Sequence, residues 1–167
     1  AGNGAAGPVV EQVMIGDTTS ALWKQSIDTE VHGFFNAVQA TLPHLREQGG
    51  GSYVHLGSAG HTWFPPKDGL SVIPKAANEA LCKGIAKEEG RNNVRANSIL
   101  VGVIEAGMFL ELLKRGVFDQ KWIEETQTLL PLKRWGKPEE IGSAAVFLAT
   151  NGYVTGQQIN VSGGFGI

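Results

Sequence analysis

The sequence of 167 residues predicts an α/β domain built on parallel strands. Three observations lead there. Short apolar runs near residues 53–56, 94–101 and 157–161 read as strands. Between them lie longer stretches with apolar residues every three or four positions, the period of a helix with one buried face. Strand and helix therefore alternate, which implies parallel strands joined by crossovers in one sheet. Three parallel strands alone leave main-chain donors and acceptors uncovered along an edge, so more sheet or a partner is expected to complete the fold.

Residues 1–16 read as a Gly-rich loop, and Asp17, Thr18, Thr19 and Ser20 offer helix N-caps. Trp23, Ile27, Val31, Phe34, Val38, Leu42 and Leu45 then define one stripe, predicting a helix over 20–47 with a kink at Pro43 and a stop at Gly49-Gly50-Gly51. Tyr53–Leu56 is a short buried strand, followed by a Gly-Ser-Ala-Gly turn. The next helix is expected from near Pro74 to Glu89, with Pro74 in the first turn, where a missing N–H costs nothing. Its Ala77, Ala80 and Gly84 face is small enough to let another helix approach closely. Val94–Val101 is the second strand, and residues 103–133 form a helical excursion carrying Phe109, Leu112, Phe118 and Trp122, read as core or interface. Pro138-Glu139-Glu140 starts a helix, with proline and acids where the helix dipole favours them. Gln157–Val161 is the last strand.

Composition narrows the function classes. The net charge of −2 gives no electrostatic case for nucleic acid or an anionic membrane. One cysteine, Cys82, excludes an intrachain disulfide and fits a reducing compartment, so a cytoplasmic location is expected. No apolar run approaches the roughly 18 residues of a membrane span. His32, His44, His55 and His61 lack metal-ligand spacing, and no metal is expected. Gly2, Gly4 and Gly7 form a G-x-G-x-x-G string, but a dinucleotide site needs a strand before that string and a helix directly after it; Pro8-Val9-Val10 follows as loop.

Several stretches together resemble the short-chain dehydrogenase/reductase family. Ala1-Gly2 looks like the end of its Asn-Asn-Ala-Gly loop, Gly51 to Ser58 like its Gly-Ser-Ile-Val-x-x-Ser-Ser strand, and Val94 to Ser98 like its Arg-Val-Asn strand. Leu132 to Ile141 and Thr155 to Gly164 resemble its carboxy-terminal signature. The resemblance implies part of a Rossmann-like doubly wound parallel sheet. Residues 1–167 are then a single, amino-terminally incomplete domain from which the first nucleotide-binding strands are missing. It also implies NAD(P) chemistry in which a tyrosine is the general acid/base, a lysine four residues later lowers its pKa, a serine holds the carbonyl and an asparagine supports a proton relay.

Carried over residue by residue, Ser58 fits the serine and Lys75 the lysine. Ser71 lies thirteen residues after Ser58 and four before Lys75, so it occupies the tyrosine position. Glu30 falls at the asparagine position. Ala1, Gly2, Lys75, Gly102 and Ile104 match cofactor-contacting positions. The family's Pro-Gly is Val101-Gly102 here, and its nicotinamide-contacting threonine is Ala106. Bland readings stand beside these: Ser71 as a cap for the helix near Pro74, Ser58 as a turn residue, and Lys75 as a structural cation paired with Glu30. The expectation is a non-catalytic subunit or pseudo-enzyme of an oxidoreductase assembly that does not bind NAD(P) alone. Such a subunit would associate as a homo- or hetero-oligomer through helices 20–47 and 74–89, with an active family member as one candidate partner. The alternative is a fragment of an active NAD(P)-dependent alcohol/ketone oxidoreductase.

Overall fold

The computed structural model describes residues 11–167. Three strands, β1 (Gly51–Ser58), β2 (Val94–Val101) and β3 (Gln158–Val161), form one parallel sheet in that order. β1 pairs with β2 from Gly51 opposite Val94 to Ser58 opposite Val101, and β2 pairs with β3 from Ser98 opposite Gln158 to Val101 opposite Val161. All three carboxyl ends therefore open at the same end of the sheet. One face is covered by α2 (Gly33–Glu47) and α4 (Gly69–Glu89), whose Val38, Leu42, Cys82 and Ile85 pack on Val94 and Ala96. On the other face α7 (Pro138–Thr150) lays Ile141 and Leu148 on Ile99. Helices on both faces explain why β2 is buried along almost its whole length.

The polar residues of β2 are structural. Arg95 donates to the Leu148 and Ala149 carbonyls at the end of α7 and to Val154. Asn97 donates to the Val154 carbonyl at 2.9 Å and accepts from the Gln157 N–H at 2.9 Å. One strand thus satisfies the open end of a helix and fixes the turn that returns the chain into β3.

Four elements differ from the sequence expectation. The helix over 20–47 is interrupted. α1 (Ser20–Ile27) runs into one wide π turn at Asp28–His32 before α2, so the apolar stripe changes phase at Glu30. β1 is longer at both ends than Tyr53–Leu56. The 103–133 excursion is two helices, α5 (Gly107–Lys114) and α6 (Gln120–Thr128). The largest correction concerns α4, which begins at Gly69, so that Pro74 lies inside it. Ser71 is accordingly a residue of the helix and not its cap; Asp68 stands at the N-cap, its carbonyl accepting from the Ser71 and Val72 N–H groups. A proline at position 74 leaves the Leu70 carbonyl without its helical donor. Ser26 of α1 supplies the replacement, its buried hydroxyl donating to the Leu70 carbonyl at 2.5 Å.

Ser26→Ala should therefore cost about 1–3 kcal/mol, the penalty of a buried unsatisfied acceptor. Adding Pro74→Ala restores a helical donor and should recover part of that loss. Urea unfolding of the two variants and of their combination checks the coupling.

Candidate active site

The carboxyl ends of β1 and β2 open into a cavity of about 510 Å³. Its polar end is formed by Ser58, Asp68, Ser71 and Lys75, and its apolar walls include Phe109 and Trp122. Ser58 is the last residue of β1, while Ser71 and Lys75 lie one helical turn apart on α4. The sequence-predicted trio thus converges from two elements. Lys75 Nζ donates to Ser71 Oγ at 3.2 Å. The Glu30 carboxylate, carried by the π turn, stands 4.0 Å from the same ammonium, so the expected pairing of Glu30 with Lys75 is present in the geometry. Asn78 of α4 steadies that turn by donating to the Glu30 carbonyl at 3.0 Å.

Gly102 and Ile104, expected at cofactor-contacting positions, line the cavity beside Lys75, as does Ala106. Ala1, Gly2 and the G-x-G-x-x-G string lie outside the described residues. A dinucleotide needs free N–H groups for its pyrophosphate. The turn after β1, Gly57 to Gly60, does not offer them: the Ala59 N–H bonds the Val101 carbonyl and the Gly60 N–H bonds Ser58 Oγ at 3.0 Å. That turn is therefore not a phosphate cradle, while Gly102, Ile104 and Lys75 line one cavity.

Two residues at this site went unrecognised in the sequence. The first is Glu79, 2% exposed, which accepts from the Ser58 N–H at 3.3 Å and from Gln158 Nε2 at 3.1 Å and lies 2.7 Å from His61 Nδ1. Burial pushes its carboxyl up, opposed by His61 and the Ser58 N–H. Gly57 is required here, since a Cβ would stand 2.2 Å from Glu79 Oε1. The second is Asp68, whose carboxyl is raised to about 6 by burial, with Lys75 and the Ser71 hydroxyl pulling against that rise. His55 of β1 is lowered to about 4, first by burial and then by Lys75. The signal for Glu79 was the spacing Ser71, Lys75, Asn78, Glu79, Cys82, which is one helical face. Nothing in the sequence marks Asp68 apart from an N-cap.

The aromatic wall is a packed cluster. Phe109, Leu130 and Trp135 form a buried core, and the Phe118 and Trp122 rings stack at 3.9 Å. Trp63 is half exposed, 5.4 Å from Phe165.

The sequence matches the family described as enoyl-(acyl carrier protein) reductase over residues 3–166. It is 33% identical over 144 residues to the 3-oxoacyl-(acyl-carrier-protein) reductase of Thermotoga maritima, covering 85% of this chain and 56% of that protein. It is 30% identical over 166 residues to dehydrogenase/reductase SDR family member 4 of Oryctolagus cuniculus, covering 97% of this chain and 61% of that protein. The chain belongs to the short-chain dehydrogenase/reductase family. A short-chain type dehydrogenase/reductase from Mycobacterium ulcerans superposes with a TM-score of 0.82 at 28% identity, over 90% of this chain and 54% of that one. Carveol dehydrogenase from Mycobacterium avium, solved in complex with NAD, gives 0.82 at 26% identity over 91% and 59%. The chain therefore spans a little over half the length of these short-chain dehydrogenase/reductase relatives.

Asp68 generates a stability prediction. A carboxyl raised from 3.8 to about 6 on folding is protonated in both states below about pH 3, so its cost is absent there. The cost grows as pH rises to about 6 and is full above it. Its ceiling is about 3 kcal/mol, reduced by the water that reaches part of the side chain. Asp68→Asn should stabilise the fold by about 1–2 kcal/mol near pH 7.5 and by almost nothing near pH 3. Urea unfolding at the two pH values measures the difference.

Proposed function

We propose that this chain is the carbonyl-binding portion of a short-chain dehydrogenase/reductase in which tyrosine-dependent hydride transfer has been lost, and that it serves as a member of an oligomer that does not itself transfer hydride. The observation that carries this is Ser71. It sits where the family pattern requires tyrosine, buried, one turn before Lys75 and hydrogen-bonded to it. A serine hydroxyl is too weak an acid to protonate an alkoxide at neutral pH without help. Pairing with Glu30 further occupies Lys75 as a fixed cation. Ser58 remains positioned to hold a carbonyl: its Oγ accepts from the Gly60 N–H, which leaves its own hydrogen to donate into the cavity. The names of the relatives, a 3-oxoacyl reductase and SDR dehydrogenases, are those of proteins that handle carbonyl and hydroxyl groups.

Association is proposed through α1–α2 and α4. Ala77 and Ala80 are exposed on α4, Gly84 has open space where a Cβ would project, and Trp23 and Phe35 are exposed large apolar residues on the neighbouring helices. Exposed apolar groups on adjacent helices are the raw material of an interface.

The purified chain should leave NADH and NADPH unconsumed with a panel of ketones. Turnover in the ordinary enzyme range of about 1–1,000 per second would overturn the proposal. Sedimentation at micromolar concentration should find an oligomer, and Ala80→Trp should weaken it; a compact monomer removes the subunit role.

A further inference from the structure

We propose that the same cavity catalyses cofactor-independent enolisation of apolar ketones, with Asp68 as the base that moves the α-proton and Ser58 as the donor that holds the carbonyl oxygen. This rests on the reading of the cavity as a carbonyl site and goes beyond it, because it needs neither a tyrosine nor a hydride.

Enolisation asks four things of a site: a base beside the α-carbon, a donor at the carbonyl oxygen, positive charge to stabilise the enolate, and walls that keep water away. Each is present. Asp68, Ser58, Ser71 and Lys75 line one cavity, with Phe109, Trp122 and other apolar side chains around the rest of it. Asp68 shares this cavity with the cation: Lys75 Nζ donates to Ser71 Oγ at 3.2 Å, and the Lys75 charge favours the ionised form of the Asp68 carboxyl. Burial holds the Asp68 carboxyl near 6, so at neutral pH it is an ionised base whose conjugate acid readily returns a proton. A cavity of about 510 Å³ lies in the range that accepts compact organic ligands.

The step balances within ligand and protein. Asp68 takes the proton from the α-carbon. The C–H electron pair becomes the C=C bond of the enolate, and the carbonyl π pair moves onto oxygen, where the Ser58 hydroxyl donates. Return of a proton from Asp68 to carbon regenerates the ketone. No electron leaves the ligand, and no oxidant or reductant takes part. The charged and titratable groups acting on this site are Lys75 of α4, Glu30 of the π turn and His55 of β1.

The test uses the whole chain and 1-indanone in deuterated buffer, following loss of the C2 proton signal by NMR. The chain should accelerate exchange by about a hundredfold or more over buffer. The rate should rise with pH through about 6 and then level. Asp68→Asn should return exchange to the buffer rate while the amide spectrum and the ketone-induced shifts around Ser58 and Ile104 persist. Equal acceleration by Asp68→Asn, or none by the parent chain when the ketone binds, overturns enolisation and leaves the carbonyl site standing. Failure of 1-indanone to bind at millimolar concentration overturns both. NADPH consumption would overturn only the loss of hydride transfer.

Discussion

One buried carboxylate organises this structure. Glu79 projects from α4 into the carboxyl end of the sheet and meets three other elements there: the Ser58 N–H of β1, Gln158 of β3 and His61 of α3 (Gly60–Trp63). Burying a carboxylate costs several kcal/mol unless its oxygens are matched, and here two hydrogen bonds match them while His61 Nδ1 stands 2.7 Å away. The arrangement is intolerant of change around it. A Cβ at Gly57 would stand 2.2 Å from Glu79 Oε1, so a side chain there would displace the carboxylate from its partners. The Ser58 main chain is therefore held by an acid on the neighbouring helix, while its hydroxyl is held by the Gly60 N–H of its own turn.

The same helix carries the rest of the site. Ser71, Lys75, Asn78 and Glu79 share one face of α4, which turns from polar at the cavity to apolar at Cys82 and Ile85 where it meets the core. Two contacts tie it to the helices before it: Ser26 caps the Leu70 carbonyl freed by Pro74 in its first turn, and Asn78, further along, grips the π turn that brings Glu30 to Lys75. In the site as built, Lys75 is shared between Glu30 and Ser71, and a half-buried Asp68 is retained at an energetic cost. Costly buried acids are found where chemistry uses them more often than where packing alone rules.

How much of this the sequence disclosed follows from how local each cause is. β2 was legible to the residue because its apolar run is continuous and buried by helices on both faces, and α7 because Pro138 and the two glutamates after it mark a helix start. The start of α4 was misjudged because the partner that makes an internal Pro74 tolerable, Ser26, is forty-four residues away in the chain. The π turn was invisible because a single inserted residue shifts the phase of a stripe without ending it. Ser58, Ser71, Lys75 and Glu30 were found through motif spacing, and the cavity brings the first three together with Glu30 behind them. Asp68 and Glu79 were missed because their character comes from burial and from β1 and β3, neither of which the residue types announce.

The central claim is that Glu79 holds Ser58 in place at the mouth of the sheet. Amide hydrogen exchange at Ser58 tests it most directly. The account predicts a Ser58 N–H protected at a level close to that of the β1–β2 ladder. In Glu79→Ala that protection should fall by at least about tenfold, on the order of the 1.4 kcal/mol that one hydrogen bond to a charged group supplies, while Val94 and Ile99 keep theirs. A Ser58 amide that exchanges as fast as an open loop in the parent chain, or one unaffected by the loss of Glu79, would contradict it.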